Sequence, residues 1–167
     1  MLKRLIITSL ICAGSTSSLA LDVPINGSVQ SRCIITTDSA GVYGNPNAYT
    51  LTTSSTDGGA KAVIRFDVTL ANAYDARITA PSSFSSSPSL NDVVTWTGDT
   101  TVKAVSDATN MGDYETNKIE QGMTDIYDLT ATGSTWFETE SVATLGGNKA
   151  FPGGSYAANV EALCMAK

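Results

Sequence analysis

The sequence predicts an all-β protein, built as a sandwich or barrel of short strands. Apolar and polar residues alternate with a period of two along much of the chain, and no segment sustains a helical period. Turn-forming pairs of glycine, proline, asparagine and aspartate separate the alternating runs. Many short strands between such turns are typical of sandwiches and barrels, and 167 residues suit one domain.

The clearest strand lies between Lys61 and Leu70, where every second residue from 62 to 70 is apolar. The alternation resumes from Tyr74 to Ala80 after a link of three residues, which predicts an antiparallel hairpin. Six further strands are predicted, at Ala48–Thr53, Val93–Thr97, Thr101–Val105, Asp125–Thr130, Thr135–Val142 and Tyr156–Cys164.

Three stretches between these strands are predicted to be turns or loops. Gly98-Asp99 has the composition of a turn. The run from Pro81 to Pro88 is mostly serine and predicts an exposed loop. The polar stretch from Asp107 to Gln121 predicts irregular structure with one helical turn.

Residues 1–20 have the pattern of a secretory signal peptide. Lys3 and Arg4 give a positive start, a short apolar run follows, and Ser18-Leu19-Ala20 places small residues at a cleavage site. The apolar run is shorter than the roughly 20 residues that cross a bilayer. We therefore expect cleavage after Ala20, secretion, and no integral membrane segment in the mature protein.

The mature chain is strongly acidic. Cleavage removes two basic residues and leaves eight basic against 16 acidic ones, so the net charge moves from −6 to −8. Such a protein repels phosphates, and we expect no nucleic acid among its partners.

The cysteines predict one disulfide. Cys12 lies in the signal peptide, so Cys33 and Cys164 remain in the mature chain. In an oxidising compartment two cysteines in one domain most simply pair with each other. Intermolecular bonds are the alternative.

The residue types favour a protein that is not an enzyme and holds no cofactor. The chain has no histidine, which excludes Ser-His-Asp and Cys-His nucleophiles. It also has no phosphate loop and no dinucleotide fingerprint. Glu138 and Glu140 point to one strand face and could act as the paired carboxylates of a glycosidase. A solvated strand face is the interpretation we favour.

Two other groupings have a functional and a structural interpretation. Calcium accepts oxygen-rich clusters such as Asp107, Asn110, Asp113 and Glu115. Their spacing does not match an EF-hand loop, so we favour a solvated loop and predict no metal. A sugar-stacking platform could be built from aromatic residues such as Trp96 and Trp136, although core positions are the more common use of aromatics on strands.

Both ends of the mature chain carry an apolar stripe of one parity. In the N-terminal extension, residues 21–32, the stripe consists of Leu21, Val23, Ile25, Gly27 and Val29. At the other end it consists of Tyr156, Ala158, Val160 and Ala162, followed by Cys164. Each stripe predicts an extended segment with one apolar face.

These two ends resemble the subunits of chaperone–usher fimbriae. Residues 25–33, Ile-Asn-Gly-Ser-Val-Gln-Ser-Arg-Cys, resemble the first-strand pattern of these pilins. Residues 151–160 resemble their closing strand, which enters through Pro-x-Gly-x-Tyr and then alternates. The middle of the chain, with the segment Leu90–Trp96, is loosely similar to pilins of the colonisation-factor type.

The resemblance implies an incomplete immunoglobulin-like sandwich over residues 33–167, completed by a donor strand from another copy or a homologous pilin. The stripe from Leu21 to Val29 would be the donor strand, and Tyr156–Ala162 the closing strand. A periplasmic chaperone and an outer-membrane usher are the implied assembly partners, and a cell-surface fimbria used in adhesion is the implied product.

Two features depart from the pilin pattern. Only twelve residues separate Ala20 from Cys33, which leaves little room for a donor strand and a first strand. Pilin cysteines usually pair near the start of the domain, whereas Cys164 is almost at the C-terminus. A self-contained secreted sandwich that binds a ligand such as carbohydrate therefore stays open as the alternative.

Overall fold

The computed structural model describes residues 32–147 and 149–167. Ten antiparallel strands and two short helices make up this part of the chain, which confirms the all-β prediction. The strands are β1 (Cys33–Ser39), β2 (Gly44–Asn47), β3 (Thr50–Thr52), β4 (Ala62–Val68), β5 (Tyr74–Thr79), β6 (Val94–Val105), β7 (Ile119–Gln121), β8 (Thr124–Leu129), β9 (Gly133–Leu145) and β10 (Glu161–Ala166). The helices are a 3₁₀ turn, Ser55–Asp57, and α1, Ala108–Met111.

Two sheets stack to form a sandwich. The first is centred on β9, which pairs along one edge with β6 and along the other with β4 and then β3. Strand β1 lies beyond β4, and β2 lies beyond β3. The second sheet has the order β10-β5-β8-β7. Within the described residues, no helix has the length and apolar character needed to cross a membrane.

The core lies between the sheets and is built from the inward residues of the alternating strands. Phe66, Tyr127 and Phe137 have no exposed surface. The Phe137 ring meets Phe66 edge-on, with centroids 5.4 Å apart, and lies 4.5 Å from Tyr127. Met111 of α1 closes the core at one end, with 1% of its surface exposed.

The predicted hairpin between residues 61–70 and 74–80 is wrong, although both strands exist. Strand β4 pairs with β1 and β9, whereas β5 pairs with β10 and β8 in the other sheet. The link between them crosses the sandwich, and its Asn72 adopts a left-handed conformation with φ 58°. The amide of Asn72 donates to the Leu129 carbonyl at 3.0 Å, which directs the chain to β8 and its sheet.

The predicted turn at Gly98-Asp99 is also wrong, because β6 runs through it without a break. A side chain at Gly98 would meet the Cβ of Ala80 at 2.4 Å and the Glu140 carbonyl at 2.8 Å. This glycine therefore allows close approach inside a strand instead of marking a turn.

The predicted disulfide between Cys33 and Cys164 is confirmed. It joins β1 at the edge of the first sheet to β10 at the edge of the second, with Cα atoms 6.2 Å apart. The bond therefore ties together the first and last described strands and both layers of the sandwich.

Candidate functional site

A groove opens between the two layers on the side where β1 and the C-terminal segment face each other. It consists of two cavities of about 320 and 650 Å³ that share Gly41, Tyr43 and Ala158 as walls. The smaller cavity lies nearer the disulfide, between residues 37–41 and 158–160. The larger lies beyond it, between residues 41–45 and 151–158.

One lip of the groove is formed by β1, whose Thr37 and Ser39 line the smaller cavity. Cys33, Ile35 and Thr37 stand directly opposite Val68, Phe66 and Ile64 of β4. The three β4 residues are buried, at 6%, 0% and 7% exposure. Ile35 nevertheless keeps 37% of its surface exposed, on the same inward face. Among the strands that the structure describes, β1 pairs with β4 alone, so its groove-side edge is free.

The other lip is the predicted closing strand. Tyr156, Ala158, Val160 and Ala162 are all half-buried and alternate with exposed residues. Ala162 lies in β10, whereas the first three precede it, because β10 begins at Glu161 instead of at Tyr156. Tyr156, Ala158 and Val160 of the predicted stripe therefore line the groove.

The backbone along this lip is unpaired on the groove side. Ala157 exchanges hydrogen bonds with Ser86, at 2.9 and 3.2 Å, on the side away from the groove. Neighbouring residues of an extended chain direct their backbone groups to opposite edges. Accordingly, Ala158 and Val160 have no backbone partner in the described part of the chain.

The middle of the groove floor is polar. Thr53, Thr139 and Ser141 line it, and the hydroxyl of Tyr43 lies 2.9 Å from that of Ser141. Burial raises the pKa of Tyr43, and the Ser141 hydrogen bond opposes that change only in part. Tyr43 is therefore a neutral hydroxyl at physiological pH.

The end of the groove away from the disulfide is aromatic. Phe84, from the serine-rich loop, has ring centroids at 4.6 Å from Trp96, 5.1 Å from Tyr156 and 6.0 Å from Phe151. The Tyr156 hydroxyl donates to the Pro152 carbonyl at 2.6 Å. These rings anchor both the serine-rich loop and the start of the closing segment.

The donor stripe of Leu21, Val23, Ile25, Gly27 and Val29 lies outside the described residues, as does the signal peptide. Because β1 begins at Cys33, residues 21–31 all precede the first described strand.

The paired carboxylates Glu138 and Glu140 bind a lysine. The Nζ atom of Lys61 lies 3.3 Å from a carboxylate oxygen of each. Burial disfavours the charged lysine, but hydrogen bonds and attraction to both glutamates outweigh it, and the pKa of Lys61 is raised. The pair is thus the ion-paired outer face of a strand.

Trp96 and Trp136, the two tryptophans that could form a sugar-stacking platform, do not lie on one surface. Trp96 is half-buried between the layers, beside Phe84. Trp136 lies on the outer face of the first sheet, where its Nε1 donates to Asp38 at 3.3 Å and Arg65 lies 5.9 Å from its ring centre.

The oxygen-rich side chains of Asp107, Asp113 and Glu115 accept hydrogen bonds from other groups of the protein. Asp107 caps α1 by accepting from the amides of Thr109 and Asn110. Asp113 accepts from the side chain of Asn117 at 2.8 Å, and Glu115 accepts from the amide of Val102 at 2.7 Å. Together with Asn110, these side chains therefore do not converge on one point.

A different acidic cluster does converge, and sequence spacing missed it. Carboxylate oxygens of Asp99, Glu120 and Asp125 lie within 4.8 Å of one another. The Nζ atom of Lys118 lies 2.8 Å from Asp99 and 3.1 Å from Glu120, so the ammonium group of this lysine forms ion pairs with two of the three carboxylates. Burial raises the pKa of Asp125, whose carboxylate accepts from the Thr100 amide at 2.7 Å.

Replacing Lys118 by methionine should lower the free energy of unfolding at pH 7 by about 1–3 kcal/mol, because it leaves these carboxylates without a cation. Burial disfavours the lysine charge, yet its acidic neighbours raise its pKa overall. A raised pKa means that this stabilisation is complete below the ordinary lysine pKa and is lost only as pH rises through the folded value.

Urea unfolding at pH 7 measures this effect. Lys103→Met, at an exposed position of β6, is the matched control and should change stability by less than about 0.5 kcal/mol. Equal losses in the two variants would contradict the assignment.

The chain was compared with protein-family models, characterised proteins and solved structures, and none of them matches it.

Proposed function

We propose that the protein is a structural subunit of a cell-surface fimbria, polymerised by inserting the N-terminal segment of one copy into the groove of the next. The observation that carries the proposal is the open inner face of β1, where Ile35 stays 37% exposed opposite the fully buried Phe66. An added strand would cover Ile35 and complete the core.

The edges of the groove suit a strand as the occupant. The free edge of β1 and the unpaired backbone of Ala158 and Val160 face each other across the opening. A strand between them would be hydrogen-bonded on both sides, which is β-augmentation. Such an occupant needs an apolar stripe of period two on its inward face.

The N-terminal segment has the stripe and the length. Leu21 to Val29 is eight residue steps, as is Tyr156 to Cys164, so a strand formed by residues 21–29 would span about 26 Å, the length of an extended segment from Tyr156 to Cys164. Residues 30–32 remain as a link to Cys33. Insertion into another copy is a heterologous contact that does not close on itself, and it builds a filament.

The assembly partners in this proposal come from the resemblance to pilins, and the open groove gives a physical reason for them. Before assembly an open groove exposes apolar surface and free strand edges, which favours aggregation. A periplasmic chaperone that lends a strand, and an outer-membrane usher that exchanges it, would protect the subunit until the next copy arrives. The resulting fimbria would serve adhesion at the cell surface.

Charges on the apolar stripe should abolish assembly. Ile25→Asp would place a carboxylate in the groove without a partner, and fibres visible by electron microscopy should fall by at least tenfold. Ser28→Asp, on the other parity of the same segment, is the matched control and should assemble normally. Deletion of residues 21–29 should also give no fibres; fibres from the deletion variant would contradict the proposal.

A second candidate rests on the aromatic end of the groove. Phe151 and Tyr156 line the 650 Å³ cavity, and aromatic walls are typical of sugar sites. A self-contained module of this kind would be a stable monomer after deletion of residues 21–29 and would bind glycans on an array.

A further inference from the structure

We infer that the Cys33–Cys164 disulfide is an end stop, which fixes the direction and register of the strand that enters the groove. This inference rests on the proposed function. The disulfide joins the two lips of the groove, β1 and β10, and no other covalent bond joins them in the described part of the chain.

The groove is too narrow at the disulfide to hold a strand. Neighbouring strands lie about 4.8 Å apart, so two strands that flank a third are separated by roughly 9.6 Å. The Cα atoms of Cys33 and Cys164 are only 6.2 Å apart. An inserted strand must therefore end before this point, and the groove is blind at the disulfide.

The opposite end of the groove is open. Its rim is formed by the exposed Gly153, Gly154 and Ser155, and a side chain added at Gly153 would meet nothing within 4 Å. A chain can leave the groove here without displacing packed residues.

These two ends determine the direction of the strand. The C-terminal end of the donor segment continues through Ser31 into β1 of its own copy, so it needs an exit. Val29 therefore lies at the open end and Leu21 at the disulfide. The inserted strand runs parallel to β1 and antiparallel to β10, because β1 leads away from the disulfide and β10 leads towards it.

The stop also selects the register. A slip by one residue would turn the stripe outward, but a slip by two keeps it facing inward. Leu21, Val23 and Ile25 are similar in size, so packing alone discriminates weakly among registers that differ by two. The disulfide excludes the registers in which the strand would extend further, because the strand cannot pass it.

Photo-crosslinking in assembled fibres tests this inference. A photoreactive benzoylphenylalanine replaces Leu21 or Val29 in the full-length protein, and mass spectrometry locates the crosslinks. Position 21 should crosslink near Ile35 and Ala162, and position 29 near Gly41 and Ala157. In fibres of the double variant Cys33→Ala, Cys164→Ala, position 21 crosslinks should spread at least threefold more widely. The reverse arrangement, or an unchanged map in the double variant, would overturn the inference.

A second measurement keeps the disulfide intact, in case the double variant does not fold. Four residues are inserted either before Leu21 or between Val29 and Cys33. The first insertion has no room at a blind end and should reduce assembly at least tenfold, whereas the second only lengthens the exit and should not. Equal tolerance of both would overturn the end stop. Crosslinks that fall outside the groove would contradict the proposed function itself.

Discussion

Replacing both Cys33 and Cys164 by alanine should lower the free energy of unfolding of the protein by about 5 kcal/mol. The disulfide spans 131 residues of sequence, so it removes a large loop-closure entropy from the unfolded chain. This loss equals a large part of the stability of a typical domain. Because the bond also joins the two layers, β1 and β10 should separate first.

Urea unfolding of the oxidised wild type and of the double variant measures the loss. Wild type treated with a reductant is the matched control, because it loses the same covalent constraint without any change in sequence. The reduced wild type and the double variant should have midpoints that agree closely. A loss below about 1 kcal/mol in both would mean that the layers are held together without the bond.

Replacing Phe137 by alanine should lower the free energy of unfolding by about 3–5 kcal/mol. Phe137 is fully buried at the centre of β9 and packs against Phe66 and Tyr127. Strand β9 pairs with β3, β4 and β6, so its backbone cannot collapse readily into the cavity that the substitution leaves.

Thermal and urea unfolding, followed by the near-ultraviolet signal of the aromatic residues, test this prediction. The control is Val93→Ala, at a residue with 75% of its surface exposed, which should change stability by less than about 0.5 kcal/mol. A loss below 1 kcal/mol for Phe137→Ala would show that the centre of the sandwich repacks easily.

Local patterns were sufficient to find most of the strands. The alternation from Lys61 to Leu70 predicted β4, and the run from Thr135 predicted the middle of β9. These predictions succeed because side chains of a strand point alternately to core and solvent, and one strand's own residues record that environment. Glycine is less informative: Gly98 has a turn composition but lies inside β6, where Ala80 and Glu140 approach it closely.

The candidate site could not be predicted in full from local sequence, because contacts between distant parts of the chain form it. The stripe of Tyr156, Ala158 and Val160 was predicted from its parity, but the opposite lip and the exposed Ile35 became apparent only when β1 was placed beside β4. The Lys118 cluster was missed for the same reason, since Asp99 is 19 residues away from Lys118 and they meet through the packing of two sheets.

Residue order and composition were enough to predict an all-β protein and a Cys33–Cys164 disulfide, with intermolecular bonds as the alternative, because strand periodicity and the number of cysteines outside the predicted signal peptide can be read along the chain. The fold then showed that the bond forms within the chain, that β4 and β5 lie in different sheets, that the disulfide spans the two lips of a groove, and that the inner face of β1 is open. Strand pairing and side-chain exposure depend on which distant segments of the chain contact each other, so they cannot be deduced from the residues next to a given position in the sequence.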